Sequence, residues 1–267
     1  MGNESGGFIW YELMTSDANA AARFYGAVTG WKIADKPDPN GQGLDYRQIV
    51  RDDGGSAGGV MQLTADMQAQ GARPAWVAYL HVRNVDAAVQ AIVADGGRTL
   101  MPKMTLPVGE ISMVADPLGA PFYVMTPVPP PSKPDAVSDV FDPARPQHVR
   151  WNELLSPDVA RARAFYGRHF GFQFNETMPM GPQAGDYHFI DHGGLRLGGL
   201  MKPMENTQPA GWTFYFGVTS ASAAKRNIEA GGGQVQMDLH QVPGGDWVLV
   251  ATDPQGARFG IVGPRGD

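Results

Sequence analysis

Two glutamates sit inside apolar stretches at matching places, Glu12 in FIWYELM (8–14) and Glu153 in WNELL (151–155). Each follows a tryptophan by two residues, Trp10 or Trp151. In a strand such a pair shares one face. A carboxylate among apolar neighbours is partly desolvated, so it either gains proton affinity or finds a donor. Two roles stay open for it: a proton-transferring base or ligand anchor, and a structural carboxylate that accepts hydrogen bonds. Tyr79 and Tyr215 occupy equivalent positions further on, where a hydroxyl could reach a ligand or a ring could fill a core. Trp10, Trp76, Trp151, Trp212 and Trp247 could line hollows for a flat or apolar ligand, or pack inside. His81 follows Tyr79 by two, while His188 and His240 have no counterpart in the first half. Each could be a base on spacing alone, but no serine elbow or cysteine frames them. Lys103 could attract an anion or be ordinary surface. The candidate catalytic residues are Glu12 and Glu153. The candidate ligand-binding residues are Trp10, Tyr79, His81, Trp151, Tyr215 and His188.

The elements that must position these residues are written twice. Trp10, Glu12, Asp17, Phe24-Tyr25-Gly26, Gly30 and Asp45-Tyr46 recur 141 residues later, as Trp151, Glu153, Asp158, Phe165-Tyr166-Gly167, Gly171 and Asp186-Tyr187. Gly58-Gly59 matches Gly198-Gly199, Trp76 and Tyr79 match Trp212 and Tyr215, and Asp116-Pro117 with Gly119 matches Asp253-Pro254 with Gly256. Order is kept and spacing drifts little, so the chain is an internal duplication. The boundaries expected are a first domain over 1–127, a proline-rich linker over 128–147 and a second domain over 148–267. Within each half, FIWYELM alternates as a strand should. Thr15, Ser16 and Asp17 can cap the helix ANAAARFYGAV, and Gly26 and Gly30 mark its end. WKIA, DYRQIV and GGVMQLT read as strands. The pattern restarts at WVAYLHV (76–82) with the helix VDAAVQAIVADGG and three more strands. Strand, helix and three strands thus occur four times. The Gly-Gly pairs lack the GK[ST] of a phosphate loop and read as turns or bulges entering a strand.

Composition narrows the function. The 267 residues are 43% hydrophobic and 18% charged, enough apolar material for real cores. A formal net charge of -6 and the lack of a basic block argue against a nucleic-acid partner. Without cysteine there are no disulfides and no thiolate chemistry. MGNESGGF does not read as a signal peptide and no apolar run is long enough to span a bilayer, so a cytoplasmic protein with no membrane partner is expected.

The βαβββ order, with FYG and a glycine after the first helix and DPxG before the last strand, resembles the vicinal oxygen chelate superfamily. That superfamily includes glyoxalase I, bleomycin-resistance proteins and extradiol dioxygenases. W-x-E-L with FYG and G-[WF] looks like its two-domain glyoxalase-like members. The resemblance implies an α+β fold of tandem vicinal-oxygen-chelate domains, each of two βαβββ modules forming a curled mixed sheet with helices outside. On such a sheet Glu12 and Glu153 would face a concave cavity. The resemblance also places metal ligands at four strand positions per domain. Here these hold Trp10, Gln62, Val77 and Tyr123, then Trp151, Lys202, Thr213 and Gly260. The metal pattern is therefore absent, and neither metal nor cofactor is expected. The function implied is a glyoxalase-like protein that binds a small organic molecule, with lyase or isomerase chemistry lacking the usual metal. The alternative is a non-catalytic protein that sequesters a small molecule or antibiotic. The duplication would supply intramolecularly the pairing that single-domain relatives obtain by dimerising, with higher oligomers left open.

Overall fold

In the computed structural model, residues 3–39, 43–182, 185–204 and 210–267 are described. The first half runs β1 (Phe8–Thr15), α1 (Ala18–Thr29), β2 (Lys32–Ile33), β3 (Tyr46–Val50), β4 (Ser56–Gln62), α2 (Ala65–Ala69), β5 (Ala75–His81), α3 (Val85–Ala94), β6 (Arg98–Leu106), β7 (Gly109–Ala115) and β8 (Pro121–Pro127). The second half runs β9 (Val149–Leu155), α4 (Val159–Phe170), β10 (Thr177–Pro179), β11 (Asp186–His192), β12 (Leu195–Met201), β13 (Gly211–Gly217), α5 (Ala221–Ala230), β14 (Gln234–Gln241), β15 (Trp247–Thr252) and β16 (Arg258–Gly263). Among the described residues four βαβββ modules follow one another, with α2 as the one added helix. Among the described residues no helix is long and apolar enough to cross a membrane.

The helices start where short polar side chains can cap them. Asp17 Oδ1 accepts from Ala20 N at 2.9 Å, and Asp158 Oδ1 accepts from Arg161 N at 2.9 Å. Gly30 and Gly171 take left-handed φ of 80° and 71°, which stops α1 and α4 at little steric cost. Gly26 does not end α1, since the helix continues to Thr29. Thr64 caps the short α2 through Met67 N.

The strands form two eight-stranded mixed sheets, ordered β2-β3-β4-β1-β5-β8-β7-β6 and β10-β11-β12-β9-β13-β16-β15-β14. These sheets are not curled, which corrects the expectation of a curled sheet around a cavity. Each order is open, ending in two edge strands that have a single hydrogen-bonded neighbour. The βαβββ pattern specifies which strands pair, and curvature is not encoded in it.

The chain forms two compact units, each interleaved along the sequence. One comprises Met1–Ile9, Ala78–Ser138 and Trp151–Trp212; the other comprises Trp10–Val77, Asp139–Arg150 and Thr213–Asp267. Each core gathers aromatics from both halves. In the first unit Phe122 packs on Phe165, Tyr166 and Phe170, with ring centroids 5.4 to 6.5 Å apart. In the second, Tyr25 meets Trp76 at 5.3 Å and Phe259 at 5.3 Å, both edge to face.

A polar chain runs through each core. Trp76 Nε1 donates to the Tyr25 hydroxyl at 2.8 Å, and that hydroxyl donates to Asp253 Oδ2 at 3.1 Å. Asp253 Oδ1 closes its own turn by accepting from Gln255 N and Ala257 N, both at 2.9 Å. In the other unit Trp212 Nε1 donates to Tyr166 at 3.0 Å, and Tyr166 to Asp116 Oδ2 at 3.1 Å. Asp116 Oδ1 accepts from Leu118 N and Ala120 N. The repeated Trp, FYG and DPxG therefore meet as one buried brace, and they satisfy groups that would be costly to bury alone. The segment 139–150 is held to its unit in a similar way. Buried Arg51 pairs with Asp139 at 2.5 Å and Asp53 at 3.1 Å.

Burial, and then the neighbouring carboxylate charge, push Tyr25 and Tyr166 well above 10.0. A raised folded pKa stabilises the fold below the unfolded value and is lost as pH rises through the folded one. Stability should therefore fall as pH climbs past 10, when only unfolded tyrosines ionise readily. Tyrosinate absorbance should show a late stage that coincides with loss of near-UV dichroism, and Tyr25→Phe or Tyr166→Phe should each remove one residue from that stage. Each substitution should also cost about 1–3 kcal/mol in a denaturant titration, because Trp N–H and Asp Oδ2 lose a buried partner.

Candidate functional site

Three more repeated motifs converge on one sheet face. In the second half Glu153 is in register with Gly199 of β12, and Phe189 of β11 faces the same glycine from the other side. Strand alternation then places Trp151, Glu153, Leu155, Tyr187, Phe189 and Met201 on a common face. Trp151 Nε1 donates to the Tyr187 hydroxyl at 2.7 Å, and Tyr187 donates to Glu153 Oε2 at 3.2 Å. Leu155, Tyr187 and Met201 form a buried apolar cluster, with Trp151, Met178 and Phe189 packed partly buried against it. Trp151 and Phe189 meet edge to face at 6.1 Å.

The Gly-Gly pairs make this geometry possible. A Cβ at Gly199 would run into the Tyr187 ring, and one at Gly198 into the Asn152 carbonyl. In the first half the same would happen at Gly59 with the Tyr46 hydroxyl and at Gly58 with the Tyr11 carbonyl. The first glycine of each pair lets β1 or β9 approach, and the second makes room for a tyrosine ring. A register shift lies beside each pair, at Ile49/Val50 and Ile190/Asp191, as the bulge reading expects. Trp10 Nε1 donates to Tyr46 at 2.8 Å, so the first half repeats the tryptophan–tyrosine contact. The two halves differ in access. Glu12 is 3% exposed, whereas Glu153 is half-buried. Burial, then the Glu153 charge, holds Tyr187 well above 10.0, so it stays a hydrogen donor at neutral pH.

The other candidates lie as follows. Tyr79 stacks on Tyr123 with centroids 4.2 Å apart, and both are buried. His81 is half-buried on the same face, in register with Met125, and its Nδ1 is buried without a partner among the described residues. Tyr215 is 3% exposed and opposite Gly260, where a Cβ would strike its ring. His188 lies on the face opposite Trp151 and Glu153, in register with Leu200. Burial, then the Arg163 charge, pulls it below its ordinary 6.5. Lys103 is tied to Asp86 and to Glu110 at 3.4 Å, and His240 is exposed. The structure thus joins Trp151 with Glu153, keeps Tyr79 with His81, and sets His188 apart. Tyr46 and Tyr187 were missed as site residues, although their repeated Asp-Tyr pairs were the signal.

The eight positions that correspond to metal ligands do not fit a metal. Gln62 Oε1 accepts from Ala18 N at 2.7 Å and its Nε2 donates to Ser16 O, so the side chain is spent on the entry to α1. Trp10 and Trp151 present indole donors rather than lone pairs. Tyr123 is stacked, Val77 is apolar, Lys202 is exposed and Gly260 has no side chain. Among the described residues no group of three or more His, Asp or Glu is placed to hold a metal ion.

Residues 10–125 match the family model described as glyoxalase-like domain, and residues 145–261 match the Glyoxalase/Bleomycin resistance protein/Dioxygenase superfamily. The chain is 30% identical over 256 residues to "Putative glyoxylase CFP32" of Mycobacterium tuberculosis, covering 96% of this chain and 94% of that protein. It is 27% identical over 269 residues to the anthracycline biosynthesis protein DauV of Streptomyces sp. (strain C5), covering 95% and 91%. Among solved structures, the Mn(II)-bound glyoxalase from Novosphingobium aromaticivorans superposes with a TM-score of 0.62 at 14% identity, over 97% of this chain and 82% of that one. The 2,3-dioxygenase LapB from Pseudomonas sp. KL28 gives 0.59 at 14%, over 96% and 91%. Identities this low speak for fold alone. The family models and the 30% relative place both halves in one family: the chain belongs to the glyoxalase/bleomycin resistance protein/dioxygenase superfamily.

Proposed function

We propose that the chain binds a small organic molecule on the aromatic face around Glu153, with Trp151 as the wall and Glu153 as the polar anchor. The observation that carries this reading is a half-buried carboxylate, oriented by Tyr187, within an apolar cluster whose outer members Trp151, Met178 and Phe189 remain partly accessible. Ligand sites combine apolar walls with a few placed polar groups. A flat, largely apolar molecule with a hydroxyl or N–H donor suits this face. The name of DauV, an anthracycline biosynthesis protein, supports a ligand of that shape. Trp10 and Glu12 hold the equivalent strand positions in the first half, where deeper burial favours a structural carboxylate. Tyr79, His81, Tyr215 and His188 are assigned at most a supporting part in binding.

Lyase or isomerase chemistry is a second reading of the same carboxylate. It rests on the Tyr187–Glu153 hydrogen bond, which could pass a proton to or from a bound ligand. That bond also occupies Oε2, one of the two oxygens a base would use to take up a proton. Binding without turnover is therefore the reading preferred.

Titration of the full chain with 1,4-dihydroxyanthraquinone, followed by tryptophan fluorescence, tests the proposal. Trp151→Ala should weaken binding at least about tenfold, roughly 1.4 kcal/mol. Glu153→Gln should weaken it while leaving the melting temperature close to the parent. Unchanged affinity in both variants would contradict the assignment. Gly199→Ala should lose about 1–3 kcal/mol of stability through overpacking against Tyr187, and lose binding with it.

A further inference from the structure

The second unit holds a cavity of about 490 Å³ away from the sheet face described above. It is bordered by the C-terminal end of α1, the 51–53 turn, residues 145–148 and the first turns of α5. The first unit carries larger side chains at two of the lining positions. Ala27 and Val28 line the cavity, and their repeat counterparts are Arg168 and His169. In the first unit those larger side chains reach Asp95 at 2.8 and 3.0 Å. The second unit carries small residues instead, and Ala223 and Ala224 of α5 add to the opening.

Two lining residues are unusual. Gln147 is the one non-glycine with positive φ, 62°, among the described residues, and its repeat counterpart is Gly6 at 94°. Both make the same backbone bond, Gly6 N to His81 O and Gln147 N to Gly217 O, each at 2.8 Å. A side chain here carries a backbone cost that glycine avoids, and such strain concentrates at functional sites. Next to it is His148, 1% exposed, where the counterpart Gly7 has no side chain. His148 Nδ1 is 2.9 Å from the Pro146 carbonyl, which can only accept, so Nδ1 carries the proton. In the neutral imidazole Nε2 is then the acceptor, and it is buried and without a partner among the described residues.

The surroundings select against an ion. The first N–H groups of α5 are all used: Ala221 by Pro264 O, Ser222 by Arg265 O, and Ala223 and Ala224 by Ser220. Arg51 pairs with Asp53 and Asp139, Arg145 with Asp53, and Asp52 with Lys32. We infer that this cavity is a second ligand site, for a small neutral molecule rich in hydroxyl groups, bound beside His148.

Long-range proton–nitrogen NMR on the full chain with labelled histidine tests it. The probes are myo-inositol, D-ribose and glycerol, with inorganic phosphate and acetate as anionic controls. His148 should show the Nδ1–H tautomer alone, and its Nε2 signal should shift saturably with at least one of the three polyols at concentrations up to ~50 mM, within reach of millimolar affinity. Ala27→Arg, which restores the first unit's side chain, should weaken the response at least about tenfold. Ala223→Leu fills the same space from α5 and serves if the arginine variant does not fold. No shift with any polyol, a shift with phosphate or acetate alone, or an undiminished shift in the filled variants would overturn the inference.

Discussion

A phenol buried between an indole and a carboxylate is the interaction on which this fold depends. The order of the chain is forced by chemistry. Indole can only donate, an ionised carboxylate can only accept, and tyrosine alone can do both. Tyr25 and Tyr166 therefore stand in the middle, and burial is tolerated because each polar atom has its partner. The aspartate has a second task, since its other oxygen closes the DPxG turn. Removing any member strands the others in a dry core. Each brace also ties distant parts of the chain: Tyr25 takes its aspartate from position 253, and Tyr166 takes its own from position 116. The compact units are interleaved along the chain for this reason.

The same chemistry reappears on the sheet, with glutamate in place of aspartate. Trp151, Tyr187 and Glu153 repeat the donor, relay and acceptor order, but on a face that is only partly covered. A motif that closes a core in one place holds a carboxylate at a fixed orientation in another. Duplication then lets the copies diverge. Glu12 is shut in while Glu153 keeps some access, and the cavity lined by Ala27 and Val28 has Arg168 and His169 at the corresponding positions of the other copy.

Much of the local structure could be read directly from the residues. Alternation in FIWYELM, the cap at Asp17 and the glycine at position 30 locate β1 and α1 to within a residue or two. The brief α2 is not legible there, because five residues carry too little periodicity. The relay was harder to see. FYG and DPxG are visible as repeated words, but no spacing says that the word from one half joins the word from the other. Tyr46 and Tyr187 are visible as repeats, but their role depends on a glycine across the strand pair, which repetition alone does not reveal. The curvature of the sheets is illegible for a related reason: hydrophobic alternation reports which face is buried and is silent on the shape of the surface.

The claim that each compact unit draws on both halves can be tested by expressing residues 1–133 and 134–267 as separate chains. Neither alone should give near-UV dichroism from packed tryptophans or a cooperative melt, and mixing them should restore both. If each half folds by itself with its own aromatic signal and sharp transition, the braces through Tyr25–Asp253 and Tyr166–Asp116 do not organise this protein.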